Sequence, residues 1–128
     1  MKTSELRIGN FVQINGNGFC KIITIRERHV RLEYLREDTN SLHRPLIEIE
    51  RIKPILLSDN WLIKFGFLKN KSDIRYRHLN TLKIKFNHKN EVIYNYSESR
   101  IKLISVHQLQ NLYFALTGEE LTIKENKK

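Results

Sequence analysis

The sequence has a single cysteine, Cys20, and no long apolar run, and each absence excludes a class of protein. One cysteine cannot form a disulfide within the chain, and its isolation favours a reducing compartment. A membrane-spanning helix needs about 18 or more consecutive apolar residues, which no segment approaches. The first residues, MKTSELRIGNF, also lack the apolar core of a secretion signal. We therefore expect a cytoplasmic protein that does not enter a membrane.

Motifs for catalysis and for cofactors are equally scarce. The chain has no G-x-S-x-G elbow, no phosphate-binding P-loop and no G-x-G-x-x-G pattern. The five histidines are scattered, and only His78 and His88 lie where neighbouring strands could bring them together. Two histidines with no carboxylate or thiol nearby supply too few ligands for a typical metal site. These absences predict a non-enzymatic protein with no catalytic residue, no metal and no cofactor.

The composition is that of a folded, basic protein. Apolar residues make up 40% of 128 residues, which is enough for the core of one domain or of one domain with two lobes. Lysine and arginine total 23 against 14 acidic residues, a net charge of +9. This surplus favours an anionic partner, either nucleic acid or an acidic protein.

Residues 1–57 predict a β-rich lobe. The strongest turn signal is Asn-Gly-Asn-Gly at 15–18, and a polar loop is expected at 36–45. The expected strands are 6–14, with a bend at Gly9 and Asn10, then 19–26, 30–34 and 47–52. Cys20 is expected to be buried as a small apolar residue. Several short strands joined by tight turns suggest a small SH3-like barrel or a curled sheet.

A short helix is predicted at 58–66. Ser58 is its expected N-cap, and Gly66 is its expected end. Its expected core residues are Trp61, Leu62 and Phe65.

A longer helix is predicted within the segment 105–121, where Ser105 and Gln108 form a capping box and Gly118 is the stop signal. Its apolar stripe consists of Val106, Leu109, Leu112, Tyr113 and Leu116.

Alternating apolar and polar residues between the two helices predict an antiparallel meander, which the final helix would cover. The expected strands are 74–78, 82–86, 92–96 and 101–104. The predicted fold is thus one α+β domain over 1–121, with a lobe at 1–57, a helix-meander-helix lobe at 58–121 and a flexible basic tail at 122–128.

The positive charge is concentrated between Lys64 and Lys89, where eight basic residues and one acid give a net charge of +7. The residues expected to face the core are Ile74, Tyr76, Leu82, Ile84 and Phe86. The outer face would then carry Arg75, Arg77, Lys83 and Lys85, a candidate phosphate-binding patch. The alternative is a solvated face whose lysines prevent edge pairing, and the lack of interleaved aromatic residues favours it.

A second candidate surface lies on the final helix. Phe114 falls outside the apolar stripe, next to His107, Gln110 and Asn111. An exposed phenylalanine ringed by polar groups would mark a site for a protein partner. The alternative is that the helix buries both of its sides, and we favour burial.

Three segments resemble a known set of proteins: LRIGN at 6–10, IKPILLSDNWLIKFGF at 52–67 and VHQLQNLYFALTGEEL at 106–121. They resemble small uncharacterised proteins of gut-type anaerobic bacteria and of their phages and mobile elements. In those proteins the middle segment is commonly closer to KPIPLTEEWLLKFGF. The resemblance implies no activity and transfers no functional residue. It does imply a phage or prophage setting, in which small basic proteins often bind nucleic acid, host proteins or virion parts.

The combined hypothesis is a non-enzymatic accessory protein of phage or mobile-element origin, in the host cytoplasm if phage-encoded. It would bind through a basic surface, with nucleic acid as the candidate ligand. The alternative is a protein–protein module, either a host-factor or defence inhibitor or a virion component, that uses the C-terminal helix.

Overall fold

A computed structural model describes residues 3–14, 18–34 and 44–124. Within these residues the protein is α+β, with two antiparallel sheets, two α-helices and short 3-10 turns. No helix in the described part is long and apolar enough to cross a membrane. Residues 15–17 of the predicted turn and 36–43 of the predicted loop lie outside the described residues.

The chain divides into two compact units, each described below by itself. The first contains residues 1–55 and 105–111, and the second contains 56–104 and 112–128. The division at 55/56 falls two residues from the predicted boundary between lobes. The start of the final helix belongs to the first unit, whereas the sequence placed that whole helix with the meander.

The described strands of the first unit form one antiparallel sheet in the order β1-β2-β3-β4. They are β1 (Phe11–Val12), β2 (Cys20–Ile25), β3 (His29–Tyr34) and β4 (Leu46–Glu48). Short 3-10 turns cover Thr3–Glu5 and Ile49–Arg51. The second turn replaces the end of the strand predicted at 47–52.

The bend predicted at Gly9 and Asn10 is confirmed, and it shortens the first strand. Gly9 has a φ of +99°, and the Oδ1 of Asn10 accepts the backbone N–H of Arg7 at 2.7 Å. This local hydrogen bond competes with extended pairing. Consequently β1 begins at Phe11 rather than at residue 6.

Alternate residues of the strands point into the core of the first unit. Val30 and Leu32 are fully buried, while Arg31 between them is partly exposed. The core residues are Leu6, Val12, Cys20, Ile22, Val30, Leu32 and Ile52. The predicted burial of Cys20 is confirmed.

The second unit begins with the helix α1 (Asp59–Lys64). Ser58 occupies the N-cap position with extended backbone, but its side chain makes no capping hydrogen bond, so that part of the prediction is wrong. Gly66, with a φ of +92°, follows the helix as predicted. The predicted core residues Trp61, Leu62 and Phe65 are all buried.

Five strands of the second unit form an antiparallel meander over the continuously described residues 68–103. They are β5 (Leu68–Lys69), β6 (Tyr76–Leu79), β7 (Leu82–Phe86), β8 (Val92–Tyr96) and β9 (Ser99–Leu103). The predicted meander is confirmed, and β5 adds a strand that the sequence did not indicate. Beyond the sheet, the backbone N–H of Lys124 donates to the carbonyl of Lys64 at 2.7 Å. The first residues of the predicted flexible tail are therefore held in place.

The helix α2 (Val106–Thr117) begins directly after Ser105 and ends directly before Gly118, as the cap and stop signals predicted. The backbone N–H of Ser105 donates to the Oε1 of Gln108 at 3.1 Å, which is one half of the predicted capping box. Gly118, with a φ of +75°, ends the helix, and its N–H donates to the carbonyl of Phe114. Leu116 is 43% exposed, so it does not belong to a buried stripe.

Within the first unit, Gln110 joins α2 by two hydrogen bonds to β1 and to the bend before it. Its Oε1 accepts the backbone N–H of Phe11 at 2.8 Å, and its Nε2 donates to the carbonyl of Gly9 at 2.9 Å. The side chain is almost completely buried. It thus provides these two backbone groups with a buried side-chain partner.

We expect Gln110→Leu to lower the free energy of unfolding by about 2 kcal/mol or more, because it removes the hydrogen bonds that Gln110 makes to the buried Phe11 amide and to the part-buried Gly9 carbonyl. Urea denaturation measures this loss. The matched control is Gln108→Leu on the exposed side of α2, which removes one capping bond and should cost about 1 kcal/mol or less. Equal losses in the two variants would contradict this role for Gln110.

Candidate nucleic-acid interface

One face of the second sheet carries most of its buried side chains, although Ile93 on the opposite face is also buried. Arg77 pairs with Ile84, and Leu79 pairs with Leu82, so the side chains of each pair point to the same side. Phe86 pairs with Val92 on that side. Buried residues of this face include Arg77, Leu82, Ile84, Val92 and Leu103.

The opposite face is basic. Tyr76 pairs with Lys85, and His78 pairs with Lys83. Pairing across β8 and β9 adds further positions to the same side. We call this surface the basic face; its residues are Leu68, Tyr76, His78, Lys83, Lys85, Ile93, Asn95, Arg100 and Lys102. None of these described strand positions carries a carboxylate.

The predicted orientation of Ile74, Tyr76 and Arg77 is wrong, whereas Arg75 is exposed as predicted. Ile74 and Tyr76 were expected inside, with Arg75 and Arg77 outside, whereas Arg77 is 8% exposed and Ile74 is 70% exposed. The cause is the two-residue turn at 80–81, which pairs Leu79 with Leu82. Counting back from Leu79 places Arg77 on the buried face. The prediction for β7 is correct, since Leu82 and Ile84 are buried and Lys83 is exposed.

Arg77 is held inside by polar partners within the second unit. Its Nε donates to the Oδ1 of Asp59 at 3.0 Å, and its Nη1 donates to the carbonyls of Ile74 and Tyr76. Its guanidinium carbon lies 5.0 Å from the centroid of the Phe86 ring. A cavity of about 410 Å³ adjoins this pair, lined by Leu57, Ser58, Asp59, Arg77, Phe86 and Asn90. Because Asp59 balances the guanidinium charge, Arg77 is a structural residue rather than a phosphate contact.

We expect Arg77→Gln to lower the free energy of unfolding by about 1–3 kcal/mol, because it removes the Nη1 hydrogen bonds to the carbonyls of Ile74 and Tyr76 and the ion pair with Asp59. Lys83→Gln, the same kind of change on the exposed side of the next strand, should alter it by about 0.5 kcal/mol or less. Urea denaturation of both variants measures the difference. A loss for Lys83→Gln as large as that for Arg77→Gln would argue against the two-face assignment.

Arg75 is exposed, but its charge is compensated. Its Nε and Nη2 donate to the two carboxylate oxygens of Asp73, at 3.2 and 3.0 Å. These side-chain hydrogen bonds, more than any other cause, hold the pKa of Asp73 below its ordinary value. The pair therefore presents little net positive charge to a ligand.

Lys83 and Lys85 extend from the basic face beside an aromatic ring. Their Nζ atoms lie 4.4 and 5.9 Å from the centroid of the Tyr76 ring. The shorter contact has the geometry of a cation–π interaction. Neither lysine forms an ion pair with any described residue.

The structure adds Arg100 and Lys102 to the basic residues found from sequence. Both lie on β9, and Lys102 pairs through Ile93 of β8 with Lys85 of β7. Lys102 also forms an ion pair with Glu91, and this hydrogen bond is the main cause that lowers the pKa of Glu91. The alternation in Ser-Arg-Ile-Lys-Leu at 99–103 was the available sequence signal.

The second predicted site is mostly internal. Gln110 is buried as described above, and His107 is also buried. The Oδ1 of Asn111 accepts hydrogen bonds from Arg7 and Asn10, and its Nδ2 donates to the carbonyl of Glu5. An exposed site made of these residues together with Phe114 is therefore wrong, because the N-terminal segment supplies polar partners. Phe114 is 39% exposed, so the favoured burial of both helix sides fails at that residue.

Burial also affects the ionisation of His107. Its Nδ1 lies 3.1 Å from the Oγ of Ser105, and the ring is 3% exposed. Desolvation lowers the pKa of His107 below its ordinary value, while the charge of Glu5 acts in the opposite direction. The folded protein therefore favours the neutral imidazole.

The unfolded chain takes up a proton at His107 near the ordinary pKa of about 6.5, whereas the folded chain takes it up only at lower pH. Stability from this residue is thus present above that pH and is lost as pH falls toward the lowered folded pKa. We expect the wild type to lose more stability between about pH 7.5 and 5.5 than His107→Asn, since only the wild type carries this group. Urea denaturation at several pH values tests this, and parallel curves would contradict it.

No group of three or more potential metal ligands occurs among the described residues. His78 lies on the basic face, and His88 lies in the turn between β7 and β8. The expectation of a protein without a metal stays a prediction.

Comparison with known proteins adds no assignment. No protein-family model, no curated protein and no solved structure matches the chain. The function is therefore inferred from the geometry of the basic face.

Proposed function

We propose that the protein binds nucleic acid through the basic face, as a non-enzymatic accessory protein of phage or mobile-element origin. The observation that supports this proposal is the collection of four cations on one face of one sheet: Lys83, Lys85, Arg100 and Lys102. The three-segment resemblance described above supports the biological setting.

The spacing of these cations suits a phosphate backbone. Alternate residues of a strand lie about 7 Å apart, and alternate strands lie about 10 Å apart. Lys83 and Lys85 on β7, with Arg100 and Lys102 on β9, thus form a compact rectangle. Such a group contacts several phosphates at once and releases their counterions, so affinity should fall steeply with salt.

The cations are not equivalent. Lys102 shares its charge with Glu91, whereas Lys83, Lys85 and Arg100 form no ion pair within the described part of the chain. A phosphate that contacts one of these three cations displaces no carboxylate, although Lys83 and Lys85 already lie near the Tyr76 ring. We therefore assign the main phosphate contacts to Lys83, Lys85 and Arg100.

The test is a salt titration of DNA and RNA binding by wild type and by Lys83→Gln with Lys85→Gln. Each phosphate contact contributes about 0.7–0.9 to the slope of log affinity against log salt, so the double variant should lower that slope by about 1.5. The matched control is Lys21→Gln with Lys53→Gln, two exposed lysines of the first unit with the same loss of charge. No binding at low salt, or an equal effect of the control, would refute the proposal.

A protein–protein module remains the second proposal. Its support is the exposure of Phe114 and Leu116 on the second half of α2, at 39% and 43%. The finer features of the predicted fold also stay proposals: an SH3-like or curled first sheet, a meander covered by the final helix, and a cytoplasmic location.

A further inference from the structure

We infer that the basic face selects single-stranded over double-stranded nucleic acid, because it carries two ring side chains, Tyr76 and His78, among its cations. This inference rests on the proposed function and narrows it to one class of ligand. The sequence predicted no aromatic residue on this face. The register of β6 and β7 reverses that expectation, since it moves Arg77 inside and Tyr76 outside.

The two rings are placed for stacking. Tyr76 and His78 are alternate residues of β6, so they lie on one side of the strand about 7 Å apart. Both are partly buried, which restricts their side-chain motion, yet each keeps an exposed part. Stacking of unpaired bases on ring side chains is sequence-tolerant, because every base has a π-face. The face can therefore bind successive bases without reading their identity.

The lysines of the basic face already contact the Tyr76 ring. Lys83 pairs with His78 across the strands and has its Nζ 4.4 Å from the Tyr76 ring centroid. A nucleotide presents a charged phosphate and a flat base a short distance apart. We expect the phosphate to draw the ammonium group from the ring while the base takes its place, so both contacts are made by one nucleotide.

A duplex cannot use the rings in this way. Its bases are paired and stacked inside, so a sheet face that approaches from outside meets mainly phosphates. Reading of base edges would need an element that enters a groove, such as a helix or a two-stranded ribbon. The residues of the basic face instead lie on all five strands of one sheet. The cations can contact the phosphates of either ligand, whereas the rings can stack only on the bases of a single strand.

The experiment measures binding of the full chain to labelled oligonucleotides of about 15 nucleotides, a length matched to known single-strand sites. The probes are oligo-dT, oligo-U, and one mixed sequence used as a single strand and as a duplex. We expect the mixed single strand to bind about tenfold more tightly than its duplex. Oligo-dT and oligo-U show whether the sugar affects the affinity, since the inferred stacking applies to DNA and RNA alike.

Tyr76→Leu should weaken single-strand binding about tenfold and change duplex binding by about twofold or less. Tyr76→Phe is the matched control, because it keeps the ring and should retain single-strand affinity. Retained duplex binding shows that a variant is folded. If Tyr76→Leu does not fold, His78→Leu against His78→Phe makes the same comparison.

The outcomes separate this inference from the proposed function. Tighter single-strand binding that depends on the rings supports both. Duplex binding as tight as single-strand binding, or single-strand binding unchanged in the leucine variants, overturns the inference and leaves the proposed function standing. Failure to bind any probe at low salt overturns both.

Discussion

The turn at Asn80 and Thr81 fixes which residues of the second sheet face the core. Only two residues connect β6 to β7, so Leu79 and Leu82 pair directly. Asn80 adopts a φ of +53°, a conformation that asparagine tolerates better than most residues, and its amide donates to the Tyr113 hydroxyl at 2.7 Å. A slip of one residue would expose Arg77 and bury Tyr76. The composition of the basic face, and with it the proposed ligand, therefore depends on one short turn.

Charge counted along the chain differs from charge available at a surface. The segment between Lys64 and Lys89 has a net charge of +7, yet two of its arginines are neutralised locally. Arg75 is paired with Asp73 in solvent, and Arg77 is paired with Asp59 inside. The basic face is completed instead by residues of β9, which lie outside that segment. Sheet pairing and ion pairs, rather than linear density, decide where a phosphate would bind.

Strands in which apolar residues clearly alternate with charged ones were predictable from the sequence. Leu82 and Ile84 alternate with lysines, so the phase of β7 was correct. In β6 the neighbouring residues are Tyr76, Arg77 and His78, whose long or amphipathic side chains fit either phase, and only the pairing decided between them. The α+β class, both glycine stops and most core residues were likewise predictable, because they follow from local patterns.

Contacts between distant parts of the chain were not predictable. Gln110 and Asn111 are polar residues of a helix, and such residues are normally exposed. Nothing nearby in the sequence indicates the partners that they have in the structure. Their partners are backbone and side-chain groups of the N-terminal segment. The basic residues of β9 were missed for a different reason, since the alternation at 99–103 was visible but lay next to a helix signal.

The two hydrogen bonds of Gln110 also bear on when the protein can complete its fold during synthesis. Gln110 and Phe11 are 99 residues apart in sequence, yet one side chain satisfies the backbone of β1. Chains are made from the N-terminus, so β1 emerges from the ribosome long before its partner exists. Until Gln110 has also emerged, the Phe11 amide and the Gly9 carbonyl lack this partner. Completion of the first unit is therefore tied to synthesis of a residue 99 positions after Phe11.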